Sequence, residues 1–324
     1  MSKSITDTGL VEPSLEDILA AQVRIGPYIH RTPVLTSSYL NNLTGAELFF
    51  KCENFQKTGA FKVRGASNAV FGLNDALAKN GVATHSSGNH AMALSYAAAK
   101  RGIGCTVVMP NNAPKTKKAA VDGYGGFIVE CAPSSSAREH TLSMVVEQTG
   151  AEFIPPYNDL RIITGQATCS LELIEDVPNL DVIVVPIGGG GNISGATLAR
   201  NTMAPNIAIV AAEPEQANDA YRSFKSNTLI TDDAPTTVAD GLKVSLKEIT
   251  WHFVSNYVSD VQTATESEII AAMRLTWQRM KLVIEASCAV PLAVILKNPD
   301  TYRGKRVGVI ITGGNVDMDT LPWC

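Results

Sequence analysis

A lysine at position 62 directly follows Phe61 in "ENFQKTGAFKVRGA", where an apolar run gives way to a helical one. Among apolar neighbours an ammonium is destabilised, and the neutral amine can attack a carbonyl to form an imine. The same side chain could instead lie along a surface with its head in water. Three small-residue turns offer such an amine a setting: "THSSGNH" (Thr84 to His90), "PIGGGGNISG" (Pro186 to Gly195) and "ITGGNVD" (Ile311 to Asp317). Glycines let backbone N–H groups converge on an anion, above all at a helix start. Gly188, Gly189, Gly190 and Gly191, closed by Asn192, read as a phosphate cup; the plainer reading is a tight turn that binds nothing. There is no GxxxxGK[ST], and GGGG lacks the GxGxxG spacing, so a lone phosphate fits better than a dinucleotide.

Elements must hold these turns. Each of the three follows a short apolar run, "VATHSS", "DVIVVPIG" or "RVGVIITGG", and "ELFFKC", "CTVVMP", "FIVECA" and "IAIVAAEP" repeat the type. Helical patterns intervene. "KVRGASNAVFGLNDALAKNG" carries Val63, Ala66, Val70, Leu73 and Leu77 at helical spacing with Gly81 past its end. "TESEIIAAMRLTWQRMK" opens on a capping box from Thr265 to Glu268. This alternation predicts an α/β fold, with parallel sheet covered by helices on both faces. Ligands of such sheets sit beyond the carboxyl ends of the strands, where the three turns fall.

The 324 residues leave room for two domains, and no Gly/Ser linker separates them. They are therefore expected to interleave, a smaller domain of residues 80–156 being inserted into a larger one of 1–79 and 157–324. Hydrophobic residues make up 45% and charged residues 18%, a globular balance. A net charge of -4 with no basic stripe argues against nucleic-acid binding. No apolar run approaches the roughly 20 residues of a membrane span, and the polar, acidic start is unlike a signal peptide. Cys52, Cys105, Cys131, Cys169, Cys288 and Cys324 lie far apart with no CxxC pair. They predict reduced, mostly buried thiols in a cytoplasm, not a disulfide frame or a zinc site.

In chain order, "FQKTGAFKVRGA", "SSGNHAMALSYAAA", "PIGGGGNISG", "AAEPEQAND", "TVADGL" and "ITGGNVD" resemble the fold-type II pyridoxal-phosphate enzymes. Within them the chain is similar to the serine racemase and serine/threonine dehydratase family over about residues 14–317. "EPEQANDAYRSFKS", "DGLKVSLKEITWHFV" and "AVPLAVILKNPDTYRGKRVGVI" most resemble the β-hydroxyaspartate dehydratase subgroup. The resemblance implies a tryptophan synthase β-like fold of two open twisted sheets with helices on both faces, and a homodimer. It implies that Lys62 holds pyridoxal 5'-phosphate as a Schiff base and that Gly188 to Asn192 grip the phosphate. Asn89 would bind the ring hydroxyl, Phe61 would pack near the ring, and Glu285 keeps the family's acidic position. Thr312 would face the pyridine nitrogen, where many pyridoxal enzymes have an aspartate. A hydroxyl donor leaves that nitrogen unprotonated and the ring a weaker electron sink. Prompt loss of a β-hydroxyl then fits better than transamination.

The resemblance also implies that Lys62, displaced by the substrate amine, takes the Cα proton as general base. The departing hydroxyl would receive a proton from the phosphate or from Lys62. Ser87 would serve the opposite face, which keeps racemisation open, although a serine there also suits a helix N-cap. The substrate α-carboxylate would fall on Ser86, Ser87, Asn89 and His90 at a helix start. 3-Hydroxyaspartate brings a second carboxylate, costly to bury without a cation. Arg138 in "SSSAREH" could grip it with two parallel hydrogen bonds, His90 assisting, unless it is merely an exposed helix charge.

"AAEPEQAND" matches the segment that binds a divalent cation in the racemase group, with Glu213, the Ala217 carbonyl and Asp219 as oxygen ligands for Mg²⁺ or Ca²⁺. A solvated acidic loop is the alternative. Two segments depart from the family pattern: "EASCAVP" brings an unusual Cys288, and "GQAT" stands for the commoner GQGT at 165–168. With the chain ending at "TLPWC", the regulatory domain of biosynthetic threonine dehydratases is expected to be missing. The leading expectation is a lyase that dehydrates 3-hydroxyaspartate to iminosuccinate, with oxaloacetate and ammonia following on hydrolysis. The alternatives are a serine racemase with serine/threonine dehydratase activity, a nucleotide-dependent oxidoreductase, and an inactive protein that keeps the phosphate cup.

Overall fold

The computed structural model describes residues 9–232 and 235–323. Ten strands lie among them: β1 (Val34–Leu35), β2 (Glu47–Cys52), β3 (Val82–His85), β4 (Cys105–Pro110), β5 (Phe127–Cys131), β6 (Glu152–Phe153), β7 (Val182–Pro186), β8 (Ala208–Pro214), β9 (Asp260–Ala264) and β10 (Arg306–Ile311). Six form one sheet in the order β1-β2-β10-β7-β8-β9, and four form a second in the order β5-β4-β3-β6. Every pairing is parallel except β1 with β2. All seven apolar runs singled out in the sequence are strands, and the α/β architecture is as expected.

Successive side chains of a strand point to opposite faces, and β7 shows what this does to the core. Val182 and Val184 join a cluster with the helix Ala286–Lys297, while Ile183 and Val185 join another with the helices Leu160–Asp176 and Gly191–Met203. A strand buried at all five positions needs helices on both sides. In the smaller sheet Val107 and Met109 pack with the helix Asn89–Arg101, and Ala83 and Val108 with the helix Ser135–Thr149.

The stretch expected as one helix from residue 62 forms two, Lys62–Gly72 and Asp75–Ala78. Leu73 turns extended, at φ -65° and ψ 142°, and Asn74 Oδ1 accepts from Leu77 N at 2.9 Å to cap the second helix. Asparagine serves better as a cap than inside a helix. Val63, Ala66, Val70 and Leu73 are buried as predicted, but Leu77 is exposed. The capping box at Thr265 and Glu268 is present.

The helix Lys62–Gly72 is anchored by a buried ionic cluster. Arg64 meets Glu53 through Nε at 2.7 Å and Nη2 at 2.8 Å, and Glu172 through Nη1 and Nη2, each at 2.8 Å. Lys51 Nζ lies 2.7 Å from Glu172 Oε2. Two cations face two carboxylates out of water, so each charge is compensated. The cluster ties the start of this helix to β2 and to the helix Leu160–Asp176. Cys52, Cys105, Cys131, Cys169 and Cys288 are buried and unpaired, while Cys324 lies outside the described residues. Among the described residues no helix is long and apolar enough to cross a membrane.

Candidate active site

Four strands end at one place. β2 leads through a short loop to Lys62, β3 to Ser86–His90, β7 to the glycine loop and β10 to Thr312. Residues from all four ends line a cavity of ≈ 910 Å³.

Main-chain bonds fix the approach to Lys62. Phe61 N donates to Thr312 O at 2.9 Å, Gly314 N donates to Gly59 O at 2.9 Å, and Ala60 bridges Gly313. Thr58 adopts a left-handed φ of 61°, rare for threonine. Lys62 then opens its helix. Its Nζ donates to Pro156 O at 2.7 Å and lies 5.1 Å from the centre of the Phe61 ring. Burial pushes its pKa down to about 8, against the pull of the Glu285 charge. A lysine in that state is neutral in about a tenth of molecules at pH ~7, against well under a thousandth for an ordinary lysine, and the neutral amine is the form that attacks.

At the glycine loop, Gly190 has a φ of 84°, and the helix Gly191–Met203 starts without a side-chain cap. Its first N–H groups thus lack side-chain partners. A Cβ at Gly188 would come within 2.8 Å of Leu242 Cα, and one at Gly189 within 2.5 Å of the Tyr157 ring. Asn192 is buried, and neither Nδ2 nor Oδ1 has a hydrogen-bond partner among the described residues. Uncapped N–H groups, a backbone that tolerates no side chain and an orphaned amide all suit a bound phosphate.

Asn89 Nδ2 donates to Glu285 Oε1 at 2.9 Å and Oε2 at 3.2 Å, while its Oδ1 accepts from Asn315 Nδ2 at 2.9 Å. Asn315 also donates to Thr58 O at 2.8 Å. Burial, then the charge of Asp240, pushes Glu285 up to about 7. Thr312 Oγ1 lies 3.0 Å from Cys288 Sγ.

Ser86, Ser87 and His90 line the same cavity. Ser86 Oγ accepts from Gly88 N at 3.3 Å. The N-cap of the helix Asn89–Arg101 is Gly88 with no side-chain cap, so the capping alternative for Ser87 is not what the fold adopts. His90 Nε2 lies 3.0 Å from Ile154 O, to which only a protonated nitrogen can bond, and its Nδ1 has no partner among the described residues. Burial pushes its pKa down to about 3, so the ring is neutral and brings no positive charge to a carboxylate.

Arg138 is half-buried on the cavity wall, its Nη2 donating to Ser135 Oγ at 3.1 Å. No carboxylate lies within ion-pair distance of it among the described residues.

Glu213, Ala217 and Asp219 sit apart from the cavity lining, at the end of β8 and the start of the helix Asp219–Ser226. Glu213 accepts from Ala220 N at 2.9 Å and Tyr221 N at 2.7 Å, which makes it a cap for that helix. Asp219 Oδ2 is buried without a partner among the described residues. Burial pushes both carboxyls up, Glu213 well up. No group of three or more His, Cys, Asp or Glu side chains suited to a metal occurs among the described residues.

Sequence reasoning missed three parts of the site: the Pro156 carbonyl, the Tyr157 ring and Asn315. "FIPPYND" stood out only as a candidate domain edge, and a carbonyl partner leaves no trace in residue type. Asn315 stands inside the recognised "ITGGNVD", where an amide beside two glycines was the available signal.

The model of a family described as "Pyridoxal-phosphate dependent enzyme" matches residues 25–313. The chain is 63% identical over 311 residues to the beta-hydroxyaspartate dehydratase of Paracoccus denitrificans (strain Pd 1222), covering 96% of this chain and 99% of that protein. It is 47% identical to the serine racemase of Dictyostelium discoideum, with 95% and 96% of the two chains covered. The structure of maize serine racemase superposes with a TM-score of 0.94 at 44% identity, over 96% of each chain. A family match over residues 25–313 and 63% identity across nearly all of both chains lead to one conclusion: this protein belongs to the pyridoxal-phosphate dependent enzymes.

Proposed function

We propose that the enzyme eliminates water from 3-hydroxyaspartate, giving iminosuccinate, which hydrolyses to oxaloacetate and ammonia. The observation that carries this reading is the 63% identity, across nearly all of both chains, to a protein named beta-hydroxyaspartate dehydratase. Gly188, Gly189, Gly190, Gly191 and Asn192 hold the phosphate of pyridoxal 5'-phosphate, Asn89 the ring hydroxyl and Thr312 the ring nitrogen, with Phe61 and Glu285 alongside. Bound there, the cofactor supplies an electron sink for the pair left at Cα when its proton departs. Lys62 is the base that takes this proton, and its depressed pKa suits the task near neutral pH. Ser86, Ser87, Asn89 and the N–H groups at the start of the helix Asn89–Arg101 receive the α-carboxylate. Arg138, with no carboxylate of its own, receives the second. His90, being neutral, contributes as a prop for this wall.

The test is keto-acid formation from the 3-hydroxyaspartate isomers and from L-serine, with Arg138→Ala beside the wild type. Turnover of a hydroxyaspartate should dominate, and the variant should lose about 10-fold or more on it while keeping its activity on serine, in line with a charged contact of ~1.5–3 kcal/mol. Equal losses on both substrates would remove Arg138 from this role. The serine racemases among the relatives favour a second reading, in which Ser87, free of capping duty, protonates the opposite face. L-serine racemised faster than any hydroxyaspartate is dehydrated would establish it.

Further parts of the proposal stand on separate supports. Glu213, the Ala217 carbonyl and Asp219 hold Mg²⁺ or Ca²⁺, for which the orphaned Asp219 oxygen is the support. Added Mg²⁺ should raise the melting temperature and EDTA should lower it; a Tm indifferent to both would dismiss the site. Residues 80–156 act as a smaller domain within 1–79 and 157–324, supported by the separate four-stranded sheet and checkable by limited proteolysis. A cytoplasmic setting fits five buried, unpaired thiols, and cell fractionation checks it. A homodimer is proposed by analogy with the family and would be checked by light scattering.

A further inference from the structure

Arg138 reaches the cavity from the side of the four-stranded sheet, on the helix Ser135–Thr149. Lys117, Lys243 and Lys247 line the same cavity. Lys117 is committed to Asp240, at 2.7 Å. Lys243 follows the turn whose Leu242 backs Gly188, beside the phosphate cradle. Lys247 differs from both. It precedes the helix Glu248–Tyr257, whose Val254 shares a core with Ile183 and Val185 of β7, so it belongs to the side of the six-stranded sheet. Its place is fixed by the main chain: its N donates to Thr250 Oγ1 at 3.1 Å, and Asn158 Oδ1 accepts from Ile249 N at 2.9 Å. No carboxylate lies within ion-pair distance of its ammonium among the described residues.

His85, at the end of β3, marks where Arg138 and Lys247 come together. His85, Glu139 and Lys247 line an adjoining cavity of ≈ 440 Å³ as well as the main one. Burial, then the charge of Arg138, holds the His85 ring below its ordinary value; Lys247 adds to this and Glu139 opposes it. One stretch of wall is thus flanked by a guanidinium from one sheet and an ammonium from the other, with Glu139 offsetting part of their charge. Serine has nothing to offer this wall, whereas a second carboxylate would draw on both cations.

We propose that Lys247 is a specificity-determining residue: together with Arg138 it clamps the second carboxylate of the substrate between the two sheets, and so favours a dicarboxylic amino acid over serine. This rests on the substrate reading given above. As a point charge on an exposed stem, Lys247 supplies less than the arginine fork, and salt screens its share.

The test is binding, not turnover. Holoenzyme is titrated with L-aspartate, which has the second carboxylate but no β-hydroxyl to lose, and with L-alanine, which has neither. Cofactor absorbance reports each Kd. The wild type should prefer aspartate. Lys247→Ala should cut that preference about 3- to 5-fold, the range of a partly exposed ion pair, while Lys247→Arg keeps it and Lys243→Ala leaves it unchanged. A preference intact in Lys247→Ala but abolished by Arg138→Ala would overturn the role of Lys247 and leave the substrate reading standing. Equal losses from Lys247→Ala and Lys243→Ala would mean a diffuse field rather than a clamp, and would overturn that role too. A wild type that binds both amino acids alike would instead remove the second-carboxylate reading itself.

Discussion

Lys62 shows how a single residue acquires reactivity from its surroundings. Its side chain is half-buried, with Nζ bonded to the Pro156 carbonyl at 2.7 Å and 5.1 Å from the centre of the Phe61 ring. With a pKa of about 8, the amine gains its neutral form as pH rises through that value. The rate at which apoprotein captures pyridoxal phosphate should therefore climb about 5-fold from pH ~7 to ~8, gain only about 2-fold more above that, and level off by pH ~9. Stopped-flow absorbance would follow the capture. A rate still climbing steeply above pH ~10, the range of an ordinary lysine, would contradict the burial argument. At this scale the sequence spoke through unusual residue types: a lysine after a phenylalanine, four glycines in a row, an arginine beside three serines. It was silent on Asn315, Asn89 and Glu285 as a chain of bonds, because three polar residues far apart in sequence reveal their order only when the segments after β3 and β10, strands of different sheets, meet.

At the scale of elements, the glycine loop is shaped by what presses on it. Leu242 backs Gly188 and the Tyr157 ring overlies Gly189, so the loop is pinned between the segment after β6 and the turn Asp240–Leu242. Gly189→Ala should weaken phosphate binding, raising the Kd for pyridoxal phosphate by about 10-fold or more, because overpacking costs ~1–3 kcal/mol. Tyr157→Ala added to it should recover much of the loss, a coupling that a double-mutant cycle over cofactor titrations would measure. Additive effects would mean that the ring and the loop do not press on each other. Strands of this fold were readable because β2, β3, β4, β5, β7, β8 and β10 are compact apolar runs. β1 and β6 are two residues long, and β9 carries Asp260, Gln262 and Thr263 at a sheet edge, so none of the three has a run to read. The break after Gly72 escaped the periodicity argument because Leu73 keeps helical spacing to Val70 while the local signal, Asn74, competes for the backbone.

For the whole molecule, gathering a cradle, an amine and an acid in one cavity sets how stability varies with pH. Glu285 titrates at about 7 in the folded chain against an ordinary 4.5. Between those values the native state binds more protons than the unfolded one, so stability falls as pH rises through this window. Lys62 has the opposite effect. Its folded value of about 8 lies below the ordinary 10.5, so the unfolded chain binds more protons between them and stability rises with pH there. The apoprotein should accordingly be least stable between about pH 7 and 8, where a buried carboxylate and a half-buried ammonium are both charged. Urea midpoints of the apoprotein across about pH 5 to 10 would trace this trough. Glu285→Gln should flatten its acid limb and leave the alkaline one, and Lys62→Met should do the reverse, each by an amount on the order of 1–3 kcal/mol. Loading pyridoxal phosphate should shrink the alkaline limb in the wild type but not in Lys62→Met, since a lysine joined to the cofactor no longer titrates as a free amine. Midpoints flat across neutral pH in the unmodified apoprotein would mean that Glu285 and Lys62 remain as well solvated in the fold as outside it, and the electrostatic account of the cavity would fall with them.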